Sequence, residues 1–258
     1  MARKIKSSQQ DKDYYKKKRN KILFFILLPP IVFSILWVLL YNILEFDINI
    51  LMSIYLFLMI GYIVYIGLFR ESLQYYNMYH QYHAIIENQI GPLSVKGSLF
   101  TPSWLKQFTT DGFVQIKDTE DYIIFQQVKS KLQIITSSHY TMIAIVVAKH
   151  EKTDFFSDDI QKDIQLGIEK NPSKDRIKAQ IILQFKRYEQ LDESAKNEII
   201  QVINFKSIAQ TLVHLTIGYI HDKHIAYFLC PAKKFPNKYY YYACKLAQMY
   251  SKTDEGSL

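Results

Sequence analysis

The sequence predicts a membrane-anchored protein, in which an N-terminal two-helix transmembrane hairpin precedes a mixed α+β cytoplasmic domain. The helices of that domain are expected mainly on one face of a largely antiparallel sheet. Residues 22–44 and 48–69 contain no Asp, Glu, Lys, Arg or His, and helical and strand patterns alternate through the rest of the chain. The chain has 258 residues, 49% of them hydrophobic and 22% charged, which excludes a disordered protein.

Each apolar stretch is about 20 residues long, the length that a helix needs to cross ~30 Å of hydrocarbon. Core helices of soluble proteins keep a polar stripe, whereas apolar residues surround these two helices completely. A cleaved signal peptide is not expected, because the first stretch is too long and a second one follows at once. Since only residues 45–47 separate the stretches, the helices must turn back on each other through a short, acidic connection.

The distribution of charge predicts the orientation of the hairpin. Residues 1–21 hold nine Lys and Arg against two Asp, so this segment carries +7 of the formal net charge of +8. The 45–47 turn has no basic residue. The positive-inside rule therefore predicts a basic cytoplasmic tail over 1–21, an external turn, and an integral membrane protein whose two termini are both cytoplasmic.

The basic residues nearest the first span are also the candidate lipid-contact residues. They are Lys16, Lys17, Lys18, Arg19 and Lys21. Each basic side chain near an anionic leaflet contributes ~1 kcal/mol of attraction. The predicted partners of this segment are therefore the lipid bilayer and its anionic headgroups.

Two prolines interrupt the first span. Pro29 and Pro30 remove two backbone donors, which predicts a kink or a local unwinding of the helix. A gating hinge is the sharper interpretation, but two spans without an intramembrane charge offer no ion path. We expect a kink tolerated in an anchor, with Tyr62 and Tyr65 of the second span facing the partner helix.

The second span is predicted to continue beyond the membrane as a juxtamembrane helix over residues 70–90. Tyr75, Met78, Tyr82 and Ile85 recur at steps of three and four residues, and no Gly or Pro follows the span until Gly91. This seam could pack on its own domain or on another copy of the chain. Two heptads are too few to indicate a coiled coil.

Residues 91–250 are predicted to form one α+β domain, followed by a short tail over 251–258. The predicted helices begin near Ser103, Ser157, Asp192 and Asn237, and Ser157 is the predicted N-cap of its helix. Predicted strands cover 113–117, 121–128, 132–136, 140–148, 177–188 and 211–220, and a hairpin continues through 224–229. Alternation in 177–188, with Lys178, Gln180, Gln184 and Lys186 on one side, predicts a half-exposed strand.

Metal and catalytic signatures are weak. The chain holds two H-x-x-H pairs, His80 with His83 and His221 with His224, and zinc accepts such nitrogen ligands. Neither pair has the H-E-x-x-H pattern or a clustered carboxylate, so ordinary surface or interface histidines are the expectation. The series Asp154, Asp158, Asp159 and Asp163 suits a capped helix start better than a magnesium site.

Other reactive groups also favour a structural role. Cys230 precedes Pro231 at a strand end and Cys244 lies in the last helix, where both are expected to be small buried hydrophobes. The segment 233–250 interleaves lysines with Tyr239–Tyr242, a pattern that could bind nucleic acid. Because residues 22–258 are nearly neutral, we expect instead a helix whose Tyr242, Leu246 and Met249 pack on the sheet.

No catalytic, cofactor-binding or metal-binding residues are therefore assigned, and no cofactor or nucleic-acid partner is expected. The favoured function is a membrane-tethered cytoplasmic module that binds a protein partner or assembles with itself. A membrane-anchored hydrolase with a dispersed site, and a small accessory subunit of a membrane complex, remain the alternatives.

Overall fold

The protein consists of two compact units, residues 1–87 and 88–258, in the computed structural model. The structure describes residues 2–43, 47–130, 132, 139–206 and 210–253. The first unit is a pair of long helices and the second is an α/β domain with a mixed sheet.

The first unit contains helices α1 (Ala2–Asn42) and α2 (Ile48–Glu87), which pack antiparallel. Near the turn, the Trp37 and Tyr55 rings lie 5.4 Å apart. At the far end, the Tyr15 and Tyr79 rings are stacked at 5.0 Å. The two helices therefore contact each other along most of their length, and α2 is unbroken beyond its apolar stretch, as expected.

The two prolines of α1 were predicted to cause a kink or a local unwinding, and the unwinding is not found, because α1 is continuous through Pro29 and Pro30. In a regular helix the N–H groups at these positions would donate to the carbonyls of Phe25 and Ile26. Those two carbonyls instead accept hydrogen bonds from α2, from Tyr65 Oη at 3.3 Å and from Tyr62 Oη at 2.7 Å. The two tyrosines thus replace the donors that the prolines lack.

Residues 2–21 are also helical, so the segment predicted to be a basic tail is the first part of α1. The tyrosine-rich seam of α2 packs on this part of α1. The Tyr15 ring contacts the Tyr75, Tyr79 and His83 rings at 6.4, 5.0 and 5.4 Å. An ion pair between Lys12 and Glu87 joins the same ends of the two helices.

The second unit is built on an eight-stranded sheet in the order β1-β8-β7-β5-β4-β3-β2, with β6 pairing with β7. The strands are β1 (Leu93–Ser94), β2 (Val114–Asp118), β3 (Tyr122–Lys129), β4 (Tyr140–Ala148), β5 (Ile177–Tyr188), β6 (Ile203–Lys206), β7 (Thr211–Ile220) and β8 (Ile225–Tyr227). The helices are α3 (Pro102–Thr110), α4 (Asp158–Glu169), α5 (Glu193–Ile199) and α6 (Lys238–Tyr250), with a 3-10 turn at Lys174–Arg176.

The sheet is mixed. The three central strands β4, β5 and β7 are parallel, while the β1–β8, β2–β3, β3–β4, β6–β7 and β7–β8 pairs are antiparallel. The expectation of a largely antiparallel sheet therefore misses its centre. Parallel neighbours need a crossover connection, and α4 and α5 supply it between β4 and β5 and between β5 and β7.

Helices cover both faces of the sheet, so the prediction of helices mainly on one face is wrong. On one face, Ile160, Ile164 and Ile168 of α4 belong to a core cluster with side chains of β3 and β4. On the opposite face, the ring of Trp104 in α3 lies 5.3 Å from that of Phe185 in β5. A sheet whose central strands are parallel is expected to be buried on both faces.

Two glycines mark where the crossover helices approach the sheet most closely. A Cβ atom on Gly167 of α4 would lie 2.3 Å from Gln126 Oε1 of β3. A Cβ atom on Gly218 of β7 would lie 2.3 Å from Ile199 Cδ1 of α5. Both positions need glycine, because a Cβ atom would prevent α4 and α5 from packing this closely on the same face of the sheet.

Most predicted elements are found within a few residues of their expected ends, and the predicted N-cap Ser157 accepts a hydrogen bond from the N–H of Ile160. Asp192 and Asn237 cap α5 and α6 in the same way. Helix α3 begins at Pro102, one residue before the predicted start at Ser103, and its N-cap is Thr101. The helix predicted from about Asp192 to Ile203 ends at Ile199, and neither β6 nor β1 was predicted. The predicted strand over 132–136 lies outside the described residues except for Leu132.

The α/β domain is longer than the predicted range 91–250. At its start, the Ile90 N–H donates to the Cys230 carbonyl and the Ala232 N–H to the Asn88 carbonyl. At its end, the Lys96 N–H donates to the carbonyl of Lys252, and Thr253 bridges to Val95. Residues 88–253 are therefore the described extent of the fold.

Candidate functional site

The strongest candidate site of the first unit is the cluster of basic side chains that precedes the apolar part of α1. Lys16, Lys17, Lys18 and Lys21 are exposed and Arg19 is half-buried. Lys18 Nζ lies 5.6 Å from the centre of the Tyr14 ring, and Lys21 Nζ lies 5.8 Å from that of Phe25. Among the described residues none of the five cations forms an ion pair, so their charge remains available to a phosphate.

The first histidine pair belongs to the contact between α1 and α2. The His83 ring stacks on that of Tyr15. Burial lowers the pKa values of His80 and His83, and nearby Arg19 lowers that of His80 further. Both side chains therefore favour the neutral form, and the pair is part of the helix packing.

The second pair lies in the β7–β8 hairpin. The rings of His221 and His224 are 5.8 Å apart, and His224 has a positive φ of 47°. Tyr219 Oη and His224 Nδ1 lie 3.4 Å apart. Each histidine pair supplies two nitrogen ligands. No group of three or more His, Cys, Asp and Glu that could hold a metal ion occurs within the described parts of the chain.

The acidic series is dispersed by local structure. Asp154 Oδ1 accepts the Phe156 N–H at 2.9 Å, and Asp158 and Asp159 lie in the first turn of α4. Asp163 accepts a hydrogen bond from Tyr122 Oη at 2.9 Å. Burial and this carboxylate raise the pKa of Tyr122 to about 12. These contacts match the interpretation as a capped helix.

The two cysteines are brought together, which their separation in the sequence does not indicate. Both Cys230 and Cys244 are fully buried. Burial raises the pKa of the Cys244 thiol, and the neighbouring Cys230 raises it further. A thiol that resists ionisation is a poor nucleophile, so this pair behaves as core packing.

Helix α6 packs on the sheet with a different face from the one predicted. Tyr240, Ala243, Ala247 and Tyr250 are buried, and so is the predicted Leu246. Tyr242 is half-buried and Met249 is 43% exposed. Tyr240 Oη donates to the Leu229 carbonyl at 2.8 Å, which explains one of the four consecutive tyrosines.

Sequence reasoning missed a line of buried polar side chains on β5 and β7. Gln184 and Lys186 were expected to face solvent, but the loop between β4 and α4 covers them. Gln184 Nε2 donates to the Phe155 carbonyl at 3.1 Å, and Lys186 Nζ donates to the Thr153 carbonyl at 2.9 Å. Lys186 Nζ also lies 2.6 Å from Glu198 Oε1 of α5. These side chains hold the loop and α5 on the sheet.

One member of this buried face stands apart. His214 of β7 is 1% exposed, its Nε2 has no hydrogen-bond partner among the described residues, and its ring lies 5.1 Å from that of Phe156. Burial lowers the pKa of His214 to about 4. The only sequence signal that this polar face of β5 and β7 is buried is the length of β5. A 12-residue strand is more typical of the centre of a sheet than of its edge.

Comparison with known proteins identifies no matching family model, no matching curated protein and no matching solved structure.

Proposed function

We propose that this chain is a membrane-tethered module, whose hairpin crosses the bilayer twice and holds the α/β domain at the cytoplasmic surface. There the domain binds a protein partner or a second copy of the chain. The observation that carries the proposal is the outer surface of the hairpin. Large apolar side chains there are strongly exposed, among them Phe57 at 78%, Leu68 at 75% and Ile63 at 66%.

This surface distinguishes the hairpin from the core of a soluble protein. Helices α1 and α2 are both long and apolar enough to cross a membrane, by length and composition. In a soluble core such segments would be covered, but 0% of the most apolar window of α1 and 6% of that of α2 are buried. An apolar patch of this size in water would drive aggregation, so a lipid environment accounts for it best.

The internal hydrogen bonds of the hairpin also suit a bilayer. Unsatisfied backbone carbonyls cost several kcal/mol in hydrocarbon, where water cannot replace a missing partner. The carbonyls freed by Pro29 and Pro30 have partners in Tyr65 and Tyr62. The positive-inside rule then favours the orientation with both termini in the cytoplasm.

For the α/β domain, the geometry disfavours recognition through added β-strands. The edge strand β2 has a register irregularity between Gln115 and Lys117. Two of its charged side chains form ion pairs, Lys117 with Asp163 and Asp118 with Lys149. Bulges and charges are features that protect sheet edges from pairing with another chain. A partner is therefore expected to use side chains rather than the backbone of β2.

The partner surface that we propose is the side formed by β2 and α4. Val114 of β2 is 65% exposed and Leu166 of α4 is 48% exposed. Val114 pairs with Gln126, whose amide donates to the carbonyl of Ile164 in α4, so Val114 lies on the α4 face of the sheet. The exposed apolar side chains of Val114 and Leu166, on two elements that pack together, therefore offer a docking point for a partner.

Two measurements test the proposal. Alkaline extraction of membranes should leave the full chain in the pellet and release a fragment of residues 88–253. Release of the full chain would contradict the anchor. A photo-crosslinking residue at Leu166 in native membranes should give a discrete adduct, either with a second 30.5-kDa copy or with one partner. The same residue at exposed Lys152 is the control, and equal crosslinking at both positions would contradict the proposed surface.

A further inference from the structure

The basic cluster of α1 has a neighbour on α2 that the sequence does not connect to it. Arg70 directly follows the second apolar stretch and is exposed. It forms no ion pair with any residue that the structure describes. Between residue 69 and Lys96 it is the only Lys or Arg.

The register of the two helices brings Arg70 level with this cluster. Tyr65 of α2 contacts the carbonyl of Phe25, and the Tyr75 ring lies 6.4 Å from that of Tyr15. Arg70 is midway between Tyr65 and Tyr75, just as residue 20 is midway between Phe25 and Tyr15. Since α-helices rise ~1.5 Å per residue, Arg70 lies within a few ångströms in height of Arg19 and Lys21.

These cations also lie at the end of the apolar surface. Lys21 is the last residue before the first apolar stretch, and Arg70 is the first residue after the second. Lys16 is five residues above Lys21, or ~7.5 Å along the helix axis. That height is within the Debye length of about 8 Å at physiological ionic strength, so all of these charges act on the same plane of headgroups.

The contacts further along the pair fix the direction of α1. The Tyr15 ring is packed against Tyr79 and His83, and Lys12 is neutralised by Glu87. The segment above the membrane is thus held upright against α2 instead of lying along the surface. Lys12 and residues before it are carried away from the headgroups, and the charge near the bilayer comes from both helices.

We infer that Lys16, Lys17, Lys18, Arg19, Lys21 and Arg70 form a two-helix basic collar that binds the phosphate groups of anionic phospholipids in the cytoplasmic leaflet. This inference rests on the proposed membrane anchor and deepens it, because it names the lipid class and adds a residue from α2. Arg70 is suited to this role, since a guanidinium donates two parallel hydrogen bonds to a phosphate. Its charge complements the headgroup, while the neighbouring apolar surface accommodates the acyl chains.

The test uses the full chain reconstituted in phosphatidylcholine vesicles that contain a trace of spin-labelled phosphatidylserine or spin-labelled phosphatidylcholine. Electron spin resonance separates lipid in contact with protein from bulk lipid and gives the preference for the anionic label. The native chain should prefer phosphatidylserine, and the preference should weaken as salt rises. Arg70→Gln should lower it by about fivefold, the effect of one basic residue near the surface.

Two variants control for charge and for the shape of the side chain. Lys152→Gln removes one exposed charge from the α/β domain and should leave the preference unchanged. Arg70→Lys should retain part of it, because the charge remains but the paired hydrogen bonds are lost. An unchanged preference in Arg70→Gln, together with its loss when Lys16, Lys17, Lys18 and Arg19 are all changed to Gln, would overturn the two-helix collar.

Failure of the collar and failure of the anchor give different spectra. A chain that is embedded without a collar shows protein-contacting lipid with both labels and no preference between them. A chain that is not embedded shows no protein-contacting component with either label, which would overturn the proposed anchor and the collar together.

Discussion

The two units of this protein place the same kinds of residue in opposite positions. In the helical hairpin the aromatic Phe57 is 78% exposed, whereas in the α/β domain Trp104 and Phe185 are fully buried. Polar side chains are reversed as well, since Tyr62 of the hairpin points at the partner helix and the domain exposes most of its charges. This difference is the one expected of the proposed membrane anchor, in which the solvent is hydrocarbon for residues 22–69 and water for residues 88–253.

The units nevertheless share one device. In each, a long side chain reaches a backbone carbonyl that regular structure leaves without a partner. Tyr62 and Tyr65 do so for the carbonyls before the two prolines, and Gln184 and Lys186 do so for the loop that covers the sheet. Buried carbonyls need partners in either solvent, so this device is independent of the environment.

The largest expected difference between the units concerns aromatic residues. Trp104→Ala should destabilise the 88–253 fragment by about 4 kcal/mol, because it leaves a cavity and removes the hydrogen bond from Nε1 to the Tyr250 carbonyl. Phe57→Ala in the full chain should leave the unfolding of the domain unchanged. Urea denaturation, monitored by circular dichroism so that the signal does not depend on tryptophan, measures the free energy of unfolding of both variants. Equal losses of stability would contradict the comparison.

The second prediction concerns pH and applies to the domain alone. The pKa of His214 is about 4 in the folded protein and about 6.5 in the unfolded chain, because burial disfavours the charged ring. The unfolded state therefore binds the proton first, so stability is complete above about pH 6.5 and falls as pH drops toward 4. The loss should be about 3 kcal/mol.

His214→Leu should remove this part of the pH dependence, whereas His221→Asn, in the β7–β8 turn of the α/β domain, should retain it. Urea midpoints at pH 7 and pH 4.5 provide the measurement for all three proteins. If His214→Leu loses as much stability as the native domain between these values, His214 is not the group responsible.

A smaller effect is expected at the ends of the domain. The fragment 91–250 lacks the hydrogen bonds of residues 88–90 to the 230–232 segment and those of residues 252–253 to 95–96. It should fold but be about 2 kcal/mol less stable than 88–253, since each net hydrogen bond contributes about 0.5–1.5 kcal/mol. Equal thermal midpoints for the two fragments would show that these terminal pairings contribute nothing.

The smallest effect tests the hairpin. Tyr62→Phe should weaken the association of the two helices by about 1 kcal/mol when Pro30 is present. With Pro30→Ala, the N–H of residue 30 pairs with the Ile26 carbonyl again, and the same tyrosine change should cost less. A double-mutant cycle in detergent micelles measures the coupling, and additive effects would show that Tyr62 does not substitute for the missing donor.

Sequence patterns were informative where a single element determines its own structure. The bounds of β5 and β7 and the cap at Ser157 follow from local alternation and side-chain chemistry. Alternation failed to predict the burial of β5, because Gln184 and Lys186 have the same polar character whether solvent or a covering loop satisfies them. Local patterns do not specify what lies above a sheet.

Contacts between distant segments were the least accessible. No spacing rule links Pro29 and Pro30 to Tyr65 and Tyr62, or Arg70 to the basic cluster of α1, since both depend on the register of two helices. The apolar seam of α2 was predicted from its spacing. The helical segment around Tyr15, on which the seam packs, was not predicted, because this segment is highly charged. Charge indicated a tail, whereas the segment is a helix whose Tyr15 and Lys12 contact α2.

The membrane orientation is tested most directly by cysteine labelling in intact cells. Both native cysteines are fully buried, so an introduced cysteine is the main target of a membrane-impermeant maleimide. A cysteine at position 46, in the turn between the helices, should be labelled without permeabilisation. A cysteine at exposed Ser130 of the α/β domain should be labelled only after permeabilisation. The reverse pattern, or labelling of both sites in intact cells, would contradict a hairpin that crosses the membrane twice and holds the domain in the cytoplasm.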